Sequence, residues 1–150
     1  MAKSSAGNLP GDCYVPRTTT RKTVERAKSA DYLTVAENFF KAAELAREFE
    51  YWNAAGLLIV HAAIAFADAI CVKLGGVKSR GEDHHEAIGL LDELTAASQE
   101  QKQALSQFRR IVDHKTSVSY AGDVYGRKDV ELLWRLLVRF RDWAMRVVEK

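Results

Sequence analysis

Residues 108 to 120, FRRIVDHKTSVSY, hold the side chains of this chain best suited to acid–base and phosphate chemistry. Arg109 and His114 stand five positions apart, with Arg110, Lys115 and Tyr120 close by. An imidazole titrates near neutrality, so a histidine can serve as proton donor or acceptor. An arginine holds an oxyanion through two parallel N–H bonds. On an ideal helix five residues turn the chain by about 140°, so Arg109 and His114 do not share a face. Arg110 and His114, four apart, do. Arg109 is equally well spaced to pair with Asp113. Two readings therefore stand: a functional Arg–His pair, or an Arg109–Asp113 ion pair beside a solvated His114.

The other candidates carry less. His61 lies within an apolar run and reads as a core or interface histidine. Asp83, His84 and His85 read as a helix cap with solvated imidazoles. Four histidines and two cysteines offer neither His-Glu-x-x-His nor a Cys pair at ligand spacing, so no metal is expected. Gly75–Gly76 lacks the Lys-Ser/Thr of a phosphate loop, and no cofactor is expected. Arg135, Arg139, Arg141 and Arg146 form a stripe read as a solvated face, with phosphate contact as the alternative.

The elements that position these residues follow from periodicity. Residues 54 to 74, AAGLLIVHAAIAFADAICVKL, are apolar on nearly every side. Such a helix belongs in a membrane or at the centre of a bundle. His61 and Asp68 are costly at bilayer depth, and no cluster of Lys and Arg flanks one end, so the bundle is the reading and no membrane is expected. His61 and Asp68 lie two turns apart, about 10 Å along the axis, so each must find a partner elsewhere in the fold.

Residues 1 to 20 contain both prolines and read as a flexible tail, followed by one helical domain over 21 to 150. A first helix is expected from Ser29 as cap, with basic residues 21 to 28 extending it backwards. Asn53 is expected to cap the central helix and Gly75–Gly76 to end it. Residues 76 to 82 read as a loop, with Asp83 capping a third helix. Ser98 and Gln101 have capping-box spacing for a fourth helix, running through Thr116 toward Tyr120. A fifth fills the chain from about Lys128, and its broad apolar surface suggests a subunit interface. The fold class is an all-α antiparallel up-and-down bundle of four or five helices. The net charge of +2 does not announce nucleic-acid binding, but basic residues concentrate near the N-terminus and in the last helix. Cysteine usage and the absence of an apolar run after Lys3 lead to the expectation of a cytoplasmic protein.

An alanine-rich second helix carrying a histidine (HAAIAFADAI), a Gly-ended loop, the segment EDHHEAIGLL and Arg109-x4-His114 on the penultimate helix together resemble the HEPN domain (higher eukaryotes and prokaryotes nucleotide-binding) over about residues 30 to 148. The resemblance implies a metal-independent ribonuclease with two motifs meeting across a homodimer, or a toxin component of a two-component system. His114 would then move the proton of a ribose 2′-hydroxyl or leaving oxygen. Arg109 would hold the phosphorane charge, with Arg110 and Lys115 as RNA phosphate contacts. Arg110 stands where active members carry a small polar residue, and Thr116 where they often carry Tyr. The alternative is a non-catalytic module that binds a nucleotide or a partner such as an antitoxin or nucleotidyltransferase. A third reading is plain assembly.

Overall fold

The computed structural model describes residues 21–80 and 84–150. Its elements are β1 (Arg21–Thr23), α1 (Ser29–Glu48), α2 (Trp52–Gly75), β2 (Val77–Ser79), α3 (His84–Leu94), α4 (Gln99–Val112), the one-turn α5 (Lys115–Ser119) and α6 (Arg127–Glu149). The bundle expected from periodicity is present. Asp83 lies outside the described residues, as does the tail over 1 to 20.

α2 is the hub, packing against every other helix. It is long and apolar enough to cross a membrane, at a mean hydropathy of 2.1, but 78% of that window is buried within the bundle. Alanines make the close approach of α1 feasible. Ala36 and Ala43 on α1, and Ala55, Ala62 and Ala69 on α2, recur every seven residues and are fully or almost fully buried. Ile59, Phe66 and Ile70 then meet Leu90 and Leu91 of α3, Phe108 and Ile111 of α4, and Leu133 and Phe140 of α6 in one core.

The broad apolar surface of α6 is consumed inside this core. Val130, Leu133, Trp134, Leu136, Leu137, Phe140, Trp143 and Val148 are all buried, and Leu132 alone among its large apolar side chains is exposed. The reason is that α6 is covered on two sides, by α2 and by α4. Its hydrophobicity therefore gives no support to a subunit interface. Exposed apolar side chains gather instead at the α1–α2 corner, where Leu45, Phe49 and Tyr51 lie open.

The ends of the helices correct several local expectations. Ser29 is the first residue of α1 rather than its cap, and a 3-10 turn over Arg26–Lys28 precedes it. Residues 21 to 23 do not extend the helix but form β1. It pairs antiparallel with β2, Lys22 opposite Lys78, within the stretch expected to be a loop. Gly76 ends α2 at φ 64°, its N–H donating to the Val72 carbonyl, and its own carbonyl accepts from Val24 N–H at 2.9 Å. That left-handed turn aims the chain into β2, and a side chain there is disfavoured. Ser98 caps α4 as expected, accepting from Gln101 N–H at 3.0 Å. The Gln101 side chain does not close the box: it is buried and donates to Thr95 Oγ1 at 2.9 Å, tying α4 to the end of α3.

Asp68 finds the polar partner that burial demands, whereas His61 finds a ring. Asp68 pairs with Lys78 of β2 at 3.4 Å, and burial still pushes its carboxyl up to about 6. His61 is half-buried beside Phe39 with ring centroids 5.8 Å apart. Burial, and then the charge of Lys115, lower its pKa.

Candidate active site

α4 does not run on to Tyr120. It stops at Val112, where Asp113 N–H donates to the Arg109 carbonyl and His114 N–H tightens onto the Ile111 carbonyl at 3.1 Å. The chain restarts as α5, with Val118 N–H donating to the His114 carbonyl. This break takes His114 off the helical face that ideal geometry assigns it and leaves it half-buried.

His114 is not solvated. Its Nδ1 lies 2.6 Å from the Tyr125 hydroxyl, and the two rings meet edge-on with centroids 5.8 Å apart. Tyr125 is buried within the turn before α6. The Asn53 side chain holds that turn: its Oδ1 accepts from Tyr125 N–H at 2.9 Å and its Nδ2 donates to the Asp123 carbonyl at 2.8 Å. Asn53 was expected to cap α2; it clamps the turn instead, and α2 begins one residue earlier, at Trp52. Gly56, one helical turn along α2, makes room. A Cβ there would lie 3.1 Å from Val118 Cγ1 and 3.5 Å from the Tyr125 ring.

Burial holds the Tyr125 phenol above its ordinary pKa, partly offset by a hydrogen bond from Ser117, so it remains protonated at neutral pH. With Nδ1 taken, Nε2 is the ring nitrogen available to a ligand. When Nδ1–H donates to the phenol oxygen, Nε2 offers a lone pair as a base; protonating Nε2 gives the imidazolium, which keeps the same Nδ1–H bond and is the acid. One hydrogen bond thus supports both an acid and a base form. Lys115 contributes positive charge near His61 on the adjoining face of α2.

Arg109 and Arg110 are exposed on α4 and line two different, adjoining grooves. Arg109 lines a groove between α3 and α4 with Ile88, Asp92 and Lys102. Arg110 lines the groove between α4 and α6 with Arg139. Arg109 makes no ion pair with Asp113 among the described residues, so the bland alternative for these residues loses both its parts. Within one chain, however, Arg109 and His114 face different neighbours. Tyr120, 81% exposed, takes no part. Among the described residues no cluster of His, Cys, Asp and Glu could hold a metal ion.

The sequence did not point to Tyr125 or Ser117, and it gave Asn53 the role of a cap rather than a clamp. The only hint of Tyr125 is its place between Gly122 and Gly126, and no spacing rule links it to a histidine eleven residues earlier.

No curated protein and no solved structure matches the chain significantly. A family model described as "HEPN domain" does match, over residues 29–148, from the start of α1 nearly to the end of α6. The chain is a member of the HEPN domain family.

Proposed function

We propose that this chain binds RNA and, as a pair of copies, cleaves it without a metal ion. The family supports nucleotide or RNA binding and ribonuclease-like chemistry in general terms. The observation that carries the finer reading is the 2.6 Å contact between the Tyr125 hydroxyl and His114 Nδ1, which fixes the ring and, with Nδ1–H donating to the phenol oxygen, leaves the Nε2 lone pair for substrate. A histidine held this way is oriented as an acid–base group must be. Nε2 would take the proton of a ribose 2′-hydroxyl as its oxygen attacks phosphorus. The P–O5′ bond breaks and the leaving oxygen receives a proton from the acid form of a second His114. The products are a 2′,3′-cyclic phosphate and a 5′-hydroxyl. Arg109 would neutralise the phosphorane, and Arg110 and Lys115 would hold neighbouring phosphates. Because Arg109 and His114 of one chain look to different neighbours, the reading requires Arg109 of a second copy to complete the site.

The test is purified protein with mixed RNA in EDTA, beside His114→Ala and Arg109→Ala. The parent should cut, and each variant should lose about a hundredfold or more in rate. Adding excess His114→Ala chain to the parent should depress its activity if sites form across a dimer, because a mixed dimer holds only one His114. Cleavage that survives both substitutions sinks the assignment. A folded parent that binds RNA without cutting leaves a non-catalytic RNA-binding module.

A further inference from the structure

We propose that the groove between α4 and α6 is a phosphodiester track, in which Lys102, Arg110 and Arg139 hold the backbone phosphates of an RNA strand. The proposal rests on the RNA-binding reading and adds a location to it. All three cations line this groove together with the amides of Gln99, Gln103 and Gln107, and no carboxylate lines it. Among the described residues none of the three is within ion-pair distance of a carboxylate. Among the described residues Arg21, Arg47, Arg127, Arg141 and Arg146 have acidic partners, while Arg26, Arg80, Arg109 and Arg135 are without one like the groove arginines; what sets Lys102, Arg110 and Arg139 apart is that they line one cleft. Three like charges brought together without a counter-charge repel one another, and a polyanion relieves that repulsion. The glutamine amides add donors that a phosphate or ribose oxygen can accept from without adding net charge.

The groove has two walls and an end. In the core Phe108 of α4 stacks on Phe140 of α6 with centroids 5.1 Å apart, joining the two helices that form its walls. Toward the start of α4 the cleft meets Glu100, Asp142 and Arg146, and there Arg146 is already paired to Glu100 at 3.1 Å. A polyanion is repelled at that end and drawn toward Arg110. Arg110 lies in the last turn of α4, and His114 follows just beyond the helix end at Val112, so a strand lying in the groove leads toward the end of α4 that carries the candidate active site. Lys102 also borders the groove that Arg109 lines, giving a continuous cationic ridge over α4.

Fluorescence anisotropy with a short, labelled single-stranded RNA bearing 2′-O-methyl riboses measures binding independently of cleavage. The full chain would be compared with Lys102→Gln/Arg110→Gln/Arg139→Gln and with a charge-matched control, Lys22→Gln/Arg26→Gln/Lys28→Gln. Each lost phosphate contact on a single strand removes roughly 0.7 from the log–log salt slope, so the groove variant should lose about two. Its affinity should fall on the order of 50-fold at near-physiological salt, while the control keeps the parent's slope. The single variants Arg110→Gln and Arg139→Gln should each take about a third of the slope change, which guards against misfolding of the triple variant. Equal losses in groove variant and control would make binding a matter of net charge and overturn the proposal. Unchanged binding by the groove variant would overturn it while leaving RNA binding intact. No binding by the folded parent would overturn both.

Discussion

Arg141 and Arg139 stand two residues apart on α6, yet their surroundings are opposite. Arg141 donates from Nε and Nη2 to the two oxygens of Glu37 at 2.6 and 2.7 Å, and its guanidinium lies 4.6 Å over the Phe40 ring. Phe40 stacks on Trp134, and Arg47 covers Trp134 from 5.0 Å while forking onto Glu131. Two arginines and two aromatic rings thus lock α1 to α6. Arg139 has no carboxylate partner and faces the groove with Arg110 and Lys102. The first set is spent on structure and the second is left for a ligand. A count of positive charges along the helix treats them alike; the geometry of their partners separates them.

Breaking the lock should have the largest effect on stability. Arg141→Met should cost about 2 kcal/mol in urea denaturation, since it strands a half-buried carboxylate and removes a cation from an aromatic face. The same variant should bind RNA as the parent does. A stability loss under about 0.5 kcal/mol would remove the distinction between the two arginine sets.

Asp68 sharpens the comparison by showing what a weaker partner does. The Arg141 fork holds the Glu37 carboxyl below its ordinary pKa. The single contact from Lys78 does not overcome burial at Asp68, which rises from 3.8 to about 6. The folded state therefore binds this proton more tightly than the unfolded chain, and stability rises as pH falls through about 6 toward about 4. Asp68→Asn removes that dependence. The stability difference between parent and variant should shift by about 1 kcal/mol in the parent's favour on going from about pH 8 to about pH 5. His61 titrates in the opposite sense in this window but is present in both proteins and cancels. A pH-independent difference would show that Asp68 carries no perturbed titration.

The smallest effect on stability belongs to the groove. Arg139→Met should change unfolding free energy by less than about 0.5 kcal/mol, because it breaks no ion pair. Its signature should appear in RNA binding, as a salt slope lower by about 0.7. A destabilisation as large as that of Arg141→Met would place Arg139 in the framework instead.

Much of the fold was legible because helices announce themselves locally. Apolar residues at helical period, the all-apolar run at the centre and the glycine pair after it mark α1, α2, α4 and α6 without reference to one another. Boundaries failed where a distant segment intervened: β1 forms because residues 77 to 79 are beside it. Arg109, Arg110, His114 and Lys115 were legible as residue types, but their directions were not, since the break at Asp113 is invisible to a periodicity that treats α4 as continuous.

What the sequence by itself determined is the all-α bundle with α2 at its centre, because an apolar helix of that length has no stable place on a water-exposed surface. Only the tertiary structure decided which arginines are neutralised and what holds His114. Glu37 lies 104 residues from Arg141, and Asn53 lies 72 from the Tyr125 amide it secures. Contacts at such separations follow from how helices pack and where loops close, and no local pattern of side chains encodes them.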